Sequence, residues 1–244
     1  MQLTGKTILI TGANRGIGRA LVDEALRRGA KRVYAGTRAA FAHGDPRVSP
    51  LTLDVTSVDD IRRAASEVGD LDVLVNNAGV AIYDDLLQND TVDAHLAVNL
   101  FGPLNLTRAF LPALKRSRGA IVNNVSVVAL APLPIVSGYS ISKAAMLSMT
   151  QSLRAMLAGD GVRVHAVLLG PVDTDMNRGF DIPKATTQAA AIGILDGVEG
   201  EEEEIFPDPL SQSIADGWRN GVAKALERQQ RGFIPQPVRS EVSA

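Results

Sequence analysis

Tyr139 and Lys143 stand one helical turn apart in the stretch Tyr139-Ser140-Ile141-Ser142-Lys143. Positions i and i+4 of a helix share a face, so this spacing puts an ammonium beside a phenol or within reach of a common partner. A neighbouring positive charge favours the phenolate, and the Tyr139 pKa is expected to fall from its reference of about 10. A phenol tuned in this way can pass a proton near neutral pH, as general acid–base chemistry requires. The same spacing occurs in many helices to no effect. The pair gains meaning only from the elements that position it.

Those elements alternate along the chain. The apolar run Thr7-Ile8-Leu9-Ile10 leads into Thr11-Gly12-Ala13-Asn14-Arg15-Gly16-Ile17-Gly18. An amphipathic helical pattern then runs to about Arg28 and stops at Gly29. Strand, glycine-rich turn and helix form the phosphate-cradling unit of nucleotide-binding α/β folds. Glycine admits the backbone to a pyrophosphate, and the helix N-terminus offers free N–H groups and a positive dipole end. The spacing is G-x-x-x-G-x-G, not the G-x-G-x-x-G of other dinucleotide binders. Simple turn glycines are the alternative, and the flanking strand and helix count against it.

A second strand, residues 32–36, ends at Thr37-Arg38. An acidic residue there would hold a ribose 2′-hydroxyl, whereas arginine accommodates a 2′-phosphate. Thr37 and Arg38, assisted by Arg15 from the glycine loop, favour NADP(H), because guanidinium forks match phosphate and no carboxylate repels it. The competing reading leaves both arginines as solvated surface residues.

Residues 51–55 read as a third strand with Asp54 at the open edge of the sheet, and residues 72–79 as a fourth. Asp90 to about Leu114 reads as one long helix, with Asn99 inside it and Pro103 a local distortion. A buried asparagine there can also simply satisfy backbone groups. Residues 120–126 form a fifth strand ending on Ser126, and a helix over 137–157 carries Tyr139 and Lys143. Residues 162–169 form a sixth strand that leads to Gly170-Pro171-Val172-Asp173-Thr174. Residues 175–200 are expected to hold a mobile lid over the site, with a helix around 186–195. A seventh strand at 204–206, a helix from about Pro209 to Gln229 and a surface arm after Gly232 complete the chain. Strands alternating with helices imply an α/β, Rossmann-type doubly wound parallel sheet of about seven strands with helices on both faces. Its ligand lies outside the carboxyl ends of the strands, where all these motifs fall.

Composition excludes several other chemistries. The 244 residues contain no linker, low-complexity tract or repeat, so a single domain over 1–244 is expected. A net charge of −2 without a basic stripe argues against nucleic acid or an anionic membrane as the main partner. Cysteine is absent, which removes disulfides, thiol catalysis and cysteine-ligated metal. His43, His95 and His165 lack metal-ligand spacing and receive no role, and the run Glu201–Glu204 reads as solvated surface, so no metal is expected. The chain opens without a signal-peptide layout and has no apolar run long enough to span a bilayer, so a cytoplasmic protein is expected.

The TGxxxGxG loop, the Asn76-Asn77-Ala78-Gly79 segment, a serine thirteen residues before a YxxxK pair, and GPVxT occur in this order. The combination resembles the short-chain dehydrogenase/reductase family over nearly the whole chain, and the length fits its single-domain branch. The resemblance implies that Tyr139 exchanges a proton with the substrate oxygen and that Ser126 orients that oxygen. It implies that Lys143 lowers the tyrosine pKa and binds the nicotinamide ribose, and that Asn99 holds a water linking Lys143 to solvent. Gly12, Asn14, Arg15, Gly16, Ile17 and Gly18 match the family's phosphate loop. Asp54 and Val55 match its adenine contact, and Asn76, Ala78 and Gly79 its central segment. Pro171, Val172 and Thr174 match the segment that fixes the carboxamide, and Thr37-Arg38 looks like the NADP-preferring subset.

The activity so implied is NADPH-dependent reduction of a ketone or aldehyde to an alcohol, on a small-molecule carbonyl substrate. A homodimer or homotetramer assembled through the Asn99 and Tyr139 helices is implied as well. Apolar Val128, Pro132, Ile135 and Met176 hint at a hydrophobic substrate. The alternatives are an NAD-dependent alcohol, sugar or steroid dehydrogenase, and a non-catalytic NADP-binding module, which has no need to keep Asn99, Ser126, Tyr139 and Lys143 together. Two positions depart from the family pattern. Leu169 stands where proline is usual, so the turn at Gly170 is expected to differ slightly, and residues 39–50 are short for a helix between the second and third strands.

Overall fold

Side-chain alternation along short apolar strands builds the two layers of the computed structural model, which describes residues 1–84, 86–87 and 91–233. On β1 (Thr7–Thr11), Ile8 and Ile10 point to one face and Leu9 to the other. Val73 and Val75 against Leu74 repeat this on β4 (Val73–Asn76), and Ala120 and Val122 against Ile121 on β5 (Ala120–Asn124). The first face packs on α1 (Gly16–Arg27) and α6 (Thr187–Glu199), the second on α2 (Val58–Val68) and α4 (Gly102–Ser117). Helices therefore cover both faces, and strands buried on both sides read as near-continuous apolar runs.

With β2 (Arg32–Thr37), β3 (Val48–Thr52), β6 (Arg163–Val167) and β7 (Glu204–Ile205), the sheet has seven parallel strands in the order β3-β2-β1-β4-β5-β6-β7. Strand order reverses between β1 and β4. Such a switch point opens a crevice at the carboxyl ends of the strands, where a ligand fits.

Several boundaries differ from expectation. β3 pairs with β2 from Val33↔Val48 to Thr37↔Thr52, so the strand begins three residues earlier than the apolar pattern suggests and contains Pro50. It is an edge strand, where the missing N–H of proline is tolerated. No helix lies between β2 and β3 among the described residues. The long helix expected from Asp90 divides into α3 (Val92–Leu96), a π-helical turn at Ala97–Phe101 and α4. Pro103 stands in the first turn of α4, where its lost N–H matters little; the distortion centres on Asn99 instead. Asp90 itself and the arm from residue 234 onward lie outside the described residues. The expected 209–229 helix breaks at Asn220-Gly221 into α7 (Pro209–Arg219) and α8 (Val222–Gln230).

Two expectations about the second half are corrected. Helix α6 buries Ala190, Ile194, Leu195 and Val198 in the core against α1, and of the proposed 175–200 lid region the residues that line the crevice are Asp175, Met176, Asn177, Phe180 and Ile182. The Glu201–Glu204 run is not simply solvated surface. Glu204 is 5% exposed, and the fully buried Lys224 ammonium donates to Glu203, Glu204 and Glu227 at 2.9, 2.9 and 2.8 Å. Arg154 of α5 (Ser137–Leu157) adds bonds to Glu204 and Glu227 at 2.7 and 2.8 Å. Three carboxylates thus converge on cations of their own chain. Among the described residues, no helix is long and apolar enough to cross a membrane.

Candidate active site

A cavity of about 1230 Å³ occupies the carboxyl ends of the strands. Its floor begins at the turn after β1. Gly12 has φ +65°, and a Cβ there would stand 3.0 Å from the Ala78 Cα. A Cβ on Gly18 would lie 2.1 Å from the Gly12 carbonyl oxygen, so α1 presses directly on the turn. The Thr11 hydroxyl accepts the Asn77 and Ala78 N–H groups, each at 3.0 Å, while Asn77 Nδ2 donates to the Thr11 carbonyl at 2.9 Å. These bonds tie the ends of β1 and β4 across the switch point.

Of the residues expected to hold a cofactor, Gly12, Asn14, Arg15, Gly16, Ile17, Gly18, Thr37, Arg38, Asp54, Val55, Ala78, Gly79, Tyr139, Lys143, Pro171, Val172 and Thr174 face this cavity. Asn76 does not. It is buried, and its amide donates to Asn123 Oδ1 at 2.8 Å; Asn123 in turn donates to the Thr150 hydroxyl at 2.9 Å. Strand parity sends Asn76 into the layer below and Asn77 to the cavity, and two adjacent asparagines give no sign of which is which.

The opposite end is basic. Arg38 is exposed at the tip of β2, and Arg15, 69% exposed, donates to Asp175 at 2.6 Å. The Thr37 hydroxyl donates to the Ala39 carbonyl at 2.5 Å and shapes the turn below them. Asp54 accepts the Thr56 N–H and hydroxyl at 2.9 and 2.7 Å, which hold its carboxyl below the usual range. Glycine cradle, helix N-terminus, Arg15 in the glycine loop and Arg38 at the end of β2 fit a phosphorylated dinucleotide.

At the centre, Tyr139 and Lys143 rise from α5. The Lys143 Nζ lies 5.5 Å from the Tyr139 ring centroid and donates to the Asn124 carbonyl at 2.7 Å. Burial pushes the ammonium down to about 7. It also pushes the phenol up to about 12, with the Ser126 hydroxyl pulling it partly back. Burial thus opposes the expected fall of the Tyr139 pKa in this structure, where Lys143 is turned to a backbone carbonyl.

Ser126 follows β5; its hydroxyl donates to the Leu169 carbonyl at 3.2 Å and accepts the Val128 N–H at 3.3 Å. Leu169, in the place of the usual proline, also accepts the Val127 N–H at 3.0 Å. The next turn is held from α7, as Asp208 accepts the Gly170 N–H at 2.8 Å, and a Cβ on Gly170 would meet that carboxylate at 2.5 Å.

Asn99 is buried behind the cavity. Its Oδ1 accepts the Val80 N–H, and its Nδ2 donates to the Val80 carbonyl and the Ser142 hydroxyl, all at 2.9 Å. Both amide protons are spent on the chain, so the side chain fastens the segment after Gly79 to α5. The expected water-holding role finds no free amide donor there.

Sequence reasoning missed a clamp at the start of α5. Asp84 accepts the Gly138 N–H and the Thr91 hydroxyl, each at 2.7 Å. Burial alone would raise its pKa, but these bonds outweigh it and hold the carboxyl low. A Cβ on Gly138 would stand 2.4 Å from that carboxylate and 2.8 Å from His95 Nδ1. His95, given no role from sequence, accepts the Ile82 N–H on Nε2 at 2.9 Å and sets its ring edge toward Tyr139, centroids 6.3 Å apart. The partners are distant in sequence, and the one local hint is a glycine directly before the tyrosine.

Comparison with known proteins agrees with this geometry. Residues 6–184 match the family model for short chain dehydrogenase. The chain is 37% identical over 222 residues to the 3-oxoacyl-(acyl-carrier-protein) reductase FabG of Thermotoga maritima, covering 84% of this chain and 89% of that one. It is 36% identical over 252 residues to 11-beta-hydroxysteroid dehydrogenase 1A of Arabidopsis thaliana, covering 97% and 69%. A crystal structure of a short chain dehydrogenase from Burkholderia cenocepacia J2315 in complex with NADP matches with a TM-score of 0.86 at 40% identity, over 96% of this chain and 100% of that one. Motif order, strand order and sequence identity agree, and the chain belongs to the short chain dehydrogenase family of oxidoreductases.

Proposed function

We propose that the protein is an NADPH-dependent reductase of ketones or aldehydes, working reversibly, with Tyr139 as proton donor. The observation that carries this reading is the convergence of Ser126, Tyr139 and Lys143 on one cavity whose far end presents Arg15 and Arg38 with no carboxylate on the tip of β2. The NADP-bound relative supports the same choice of cofactor.

When bound, the nicotinamide supplies the hydride. Arg15 and Arg38 hold the 2′-phosphate. Arg15 gives up its exposed pair with Asp175 to do so, and such pairs are worth only about 0–1 kcal/mol. Asp54 and Val55 border the adenine, Gly12, Gly16 and Gly18 let the backbone reach the phosphates, and Val172 and Thr174 take the carboxamide. The Ser126 and Tyr139 hydroxyls hold the substrate oxygen. Charge developing on that oxygen is stabilised by the Tyr139 hydroxyl and by the Ser126 hydroxyl, which turns from the Leu169 carbonyl to donate, and Tyr139 delivers its proton. Lys143, once it turns from the Asn124 carbonyl toward the phenol, is the cation that brings the phenol down from its buried value. Exposed Phe101, Ile141 and Met156, on the side of α4 and α5, supply the surface for a homodimer or homotetramer.

The test is the initial rate of NADPH consumption, with NADH in parallel, across ketones and aldehydes. Charge-assisted bonds to the 2′-phosphate predict at least a roughly tenfold preference for NADPH in kcat/KM. Equal rates with NADH, or reduction of no carbonyl compound, would contradict the reading.

A further inference from the structure

We infer that the substrate is a bulky, neutral, hydrophobic ketone with a single polar carbonyl, of the fused-ring or aryl-alkyl class, and not an acidic, phosphorylated or polyhydroxylated one. This rests on the carbonyl-reductase reading above and narrows it.

The cavity divides by topology. Among the described residues, its charged side chains are Arg15, Arg38, Asp54, Lys143 and Asp175. The first three follow β1, β2 and β3, on the side away from Ser126. Asp175 is paired to Arg178 as well as to Arg15, so it keeps a cation when Arg15 turns to the cofactor, and Lys143 is bound to the Asn124 carbonyl. The other end is built by four separate segments, which contribute Leu133 and Ile135 from the loop before α5, Ile214 and Trp218 from α7, Tyr83 from the loop after β4 and Phe180 from the segment after β6. Leu133, Ile135, Ile214 and Tyr83 are all exposed, and large apolar side chains gathered open around one concavity mark a ligand site.

Polar groups at this end are few, and of them the buried Trp218 Nε1 is without a partner. The Ser213 hydroxyl donates to the Leu210 carbonyl at 2.6 Å, and Asn177 Nδ2 donates to the Val172 carbonyl at 2.9 Å. A carboxylate or phosphate entering here would lose water and meet no cation among the described side chains that line this end, and a polyol would find few partners for its several hydroxyls. One carbonyl is matched by the two hydroxyls of Ser126 and Tyr139. The Tyr83 and Phe180 rings stack with centroids 5.8 Å apart at 26°, joining the loop after β4 to the segment after β6. Each ring keeps an outer face on which an apolar ring can pack. At about 1230 Å³ the cavity exceeds the roughly 300–1,000 Å³ of a single small-molecule site, so a sizeable ligand fits beside the dinucleotide.

The experiment measures kcat/KM with NADPH for cyclohexanone, 2-decalone, 4-phenyl-2-butanone, 4-phenyl-2-oxobutanoate and fructose. Each buried methylene is worth about fourfold, so 2-decalone is expected to exceed cyclohexanone by about 10²-fold or more. The aryl ketone is expected to exceed its carboxylated counterpart at least tenfold, and fructose to be the poorest. Phe180→Ala should raise KM for 2-decalone more than for cyclohexanone, and Ile214→Arg should move the preference toward the keto acid. Fructose or the keto acid as best substrate, or equal values for the two cyclic ketones, overturns the inference while leaving a carbonyl reductase standing. Reduction of none of the five contradicts the reductase reading itself, and this inference with it.

Discussion

At Tyr139 burial and charge pull in opposite directions. Burial holds the phenol near 12 and the Ser126 hydroxyl pulls it partly back, while the ammonium one turn away stands 5.5 Å from the ring centroid. The i,i+4 spacing is legible in sequence, and it does place both groups on one face of α5. What the ammonium touches is not legible, because the Asn124 carbonyl arrives from a different strand. The same limit governs Asn76 and Asn77, whose roles depend on strand parity, and Asn99, whose amide is consumed by Val80 and Ser142. The basic end is better specified by residue type alone. Arg38→Asp sets a carboxylate against the 2′-phosphate, and fluorescence titration should show NADPH binding weakened at least about tenfold with NADH changed far less. Equal losses for both cofactors would remove Arg38 from the phosphate site.

On the scale of elements, α5 runs from Ser137 to Leu157, the bounds expected from its pattern, yet what fixes its start is Asp84, fifty-odd residues earlier. Gly138→Ala drives a methyl into that carboxylate, since the Cβ would lie 2.4 Å from Asp84 Oδ2. It is expected to lower kcat at least about tenfold by displacing Tyr139, with a smaller change in NADPH affinity, because a misplaced catalytic group costs rate steeply. Asp84→Ala removes the acceptor for the Gly138 N–H and should destabilise by about 1–3 kcal/mol, with Asp84→Asn milder because it keeps an acceptor. Thermal melts rank the two, and equal losses would show that charge, not the hydrogen bond, anchors the helix. The broken helix at Asn99 and the early start of β3 escape a sequence reading for a related reason. Periodicity reports which face is apolar but not where a distant partner pulls the backbone into a π turn or which residues a neighbouring strand engages.

Over the whole molecule, the doubly wound sheet is legible because both its faces are buried and the glycine loop fixes the first crossover. The part least visible is the ionic core under α8, where a run of glutamates that looks solvated is paired with Lys224, Arg154 and Arg231. His165 gives a further global consequence. It is buried in β6, its Nδ1 bonds the Glu202 carbonyl at 2.5 Å, its Nε2 has no partner, and burial pushes its pKa down to about 4. The unfolded chain takes up this proton near the reference value of about 6.5, whereas the folded protein resists it until about 4. Stability from this group is therefore complete above pH 6.5 and lost as pH falls toward 4, by about 3 kcal/mol in all. Denaturant titrations between pH 7.5 and 4 should show this slope and a flatter one in His165→Phe, even if that variant is less stable at neutral pH. An unchanged slope would assign the acid sensitivity elsewhere.

The central claim is that Tyr139 gives the proton, and Tyr139→Phe tests it most directly when turnover and NADPH affinity are measured on the same folded variant. Loss of turnover by about 10²–10⁴-fold with NADPH binding nearly unchanged is the predicted result. A variant that retains most of its activity would contradict the account.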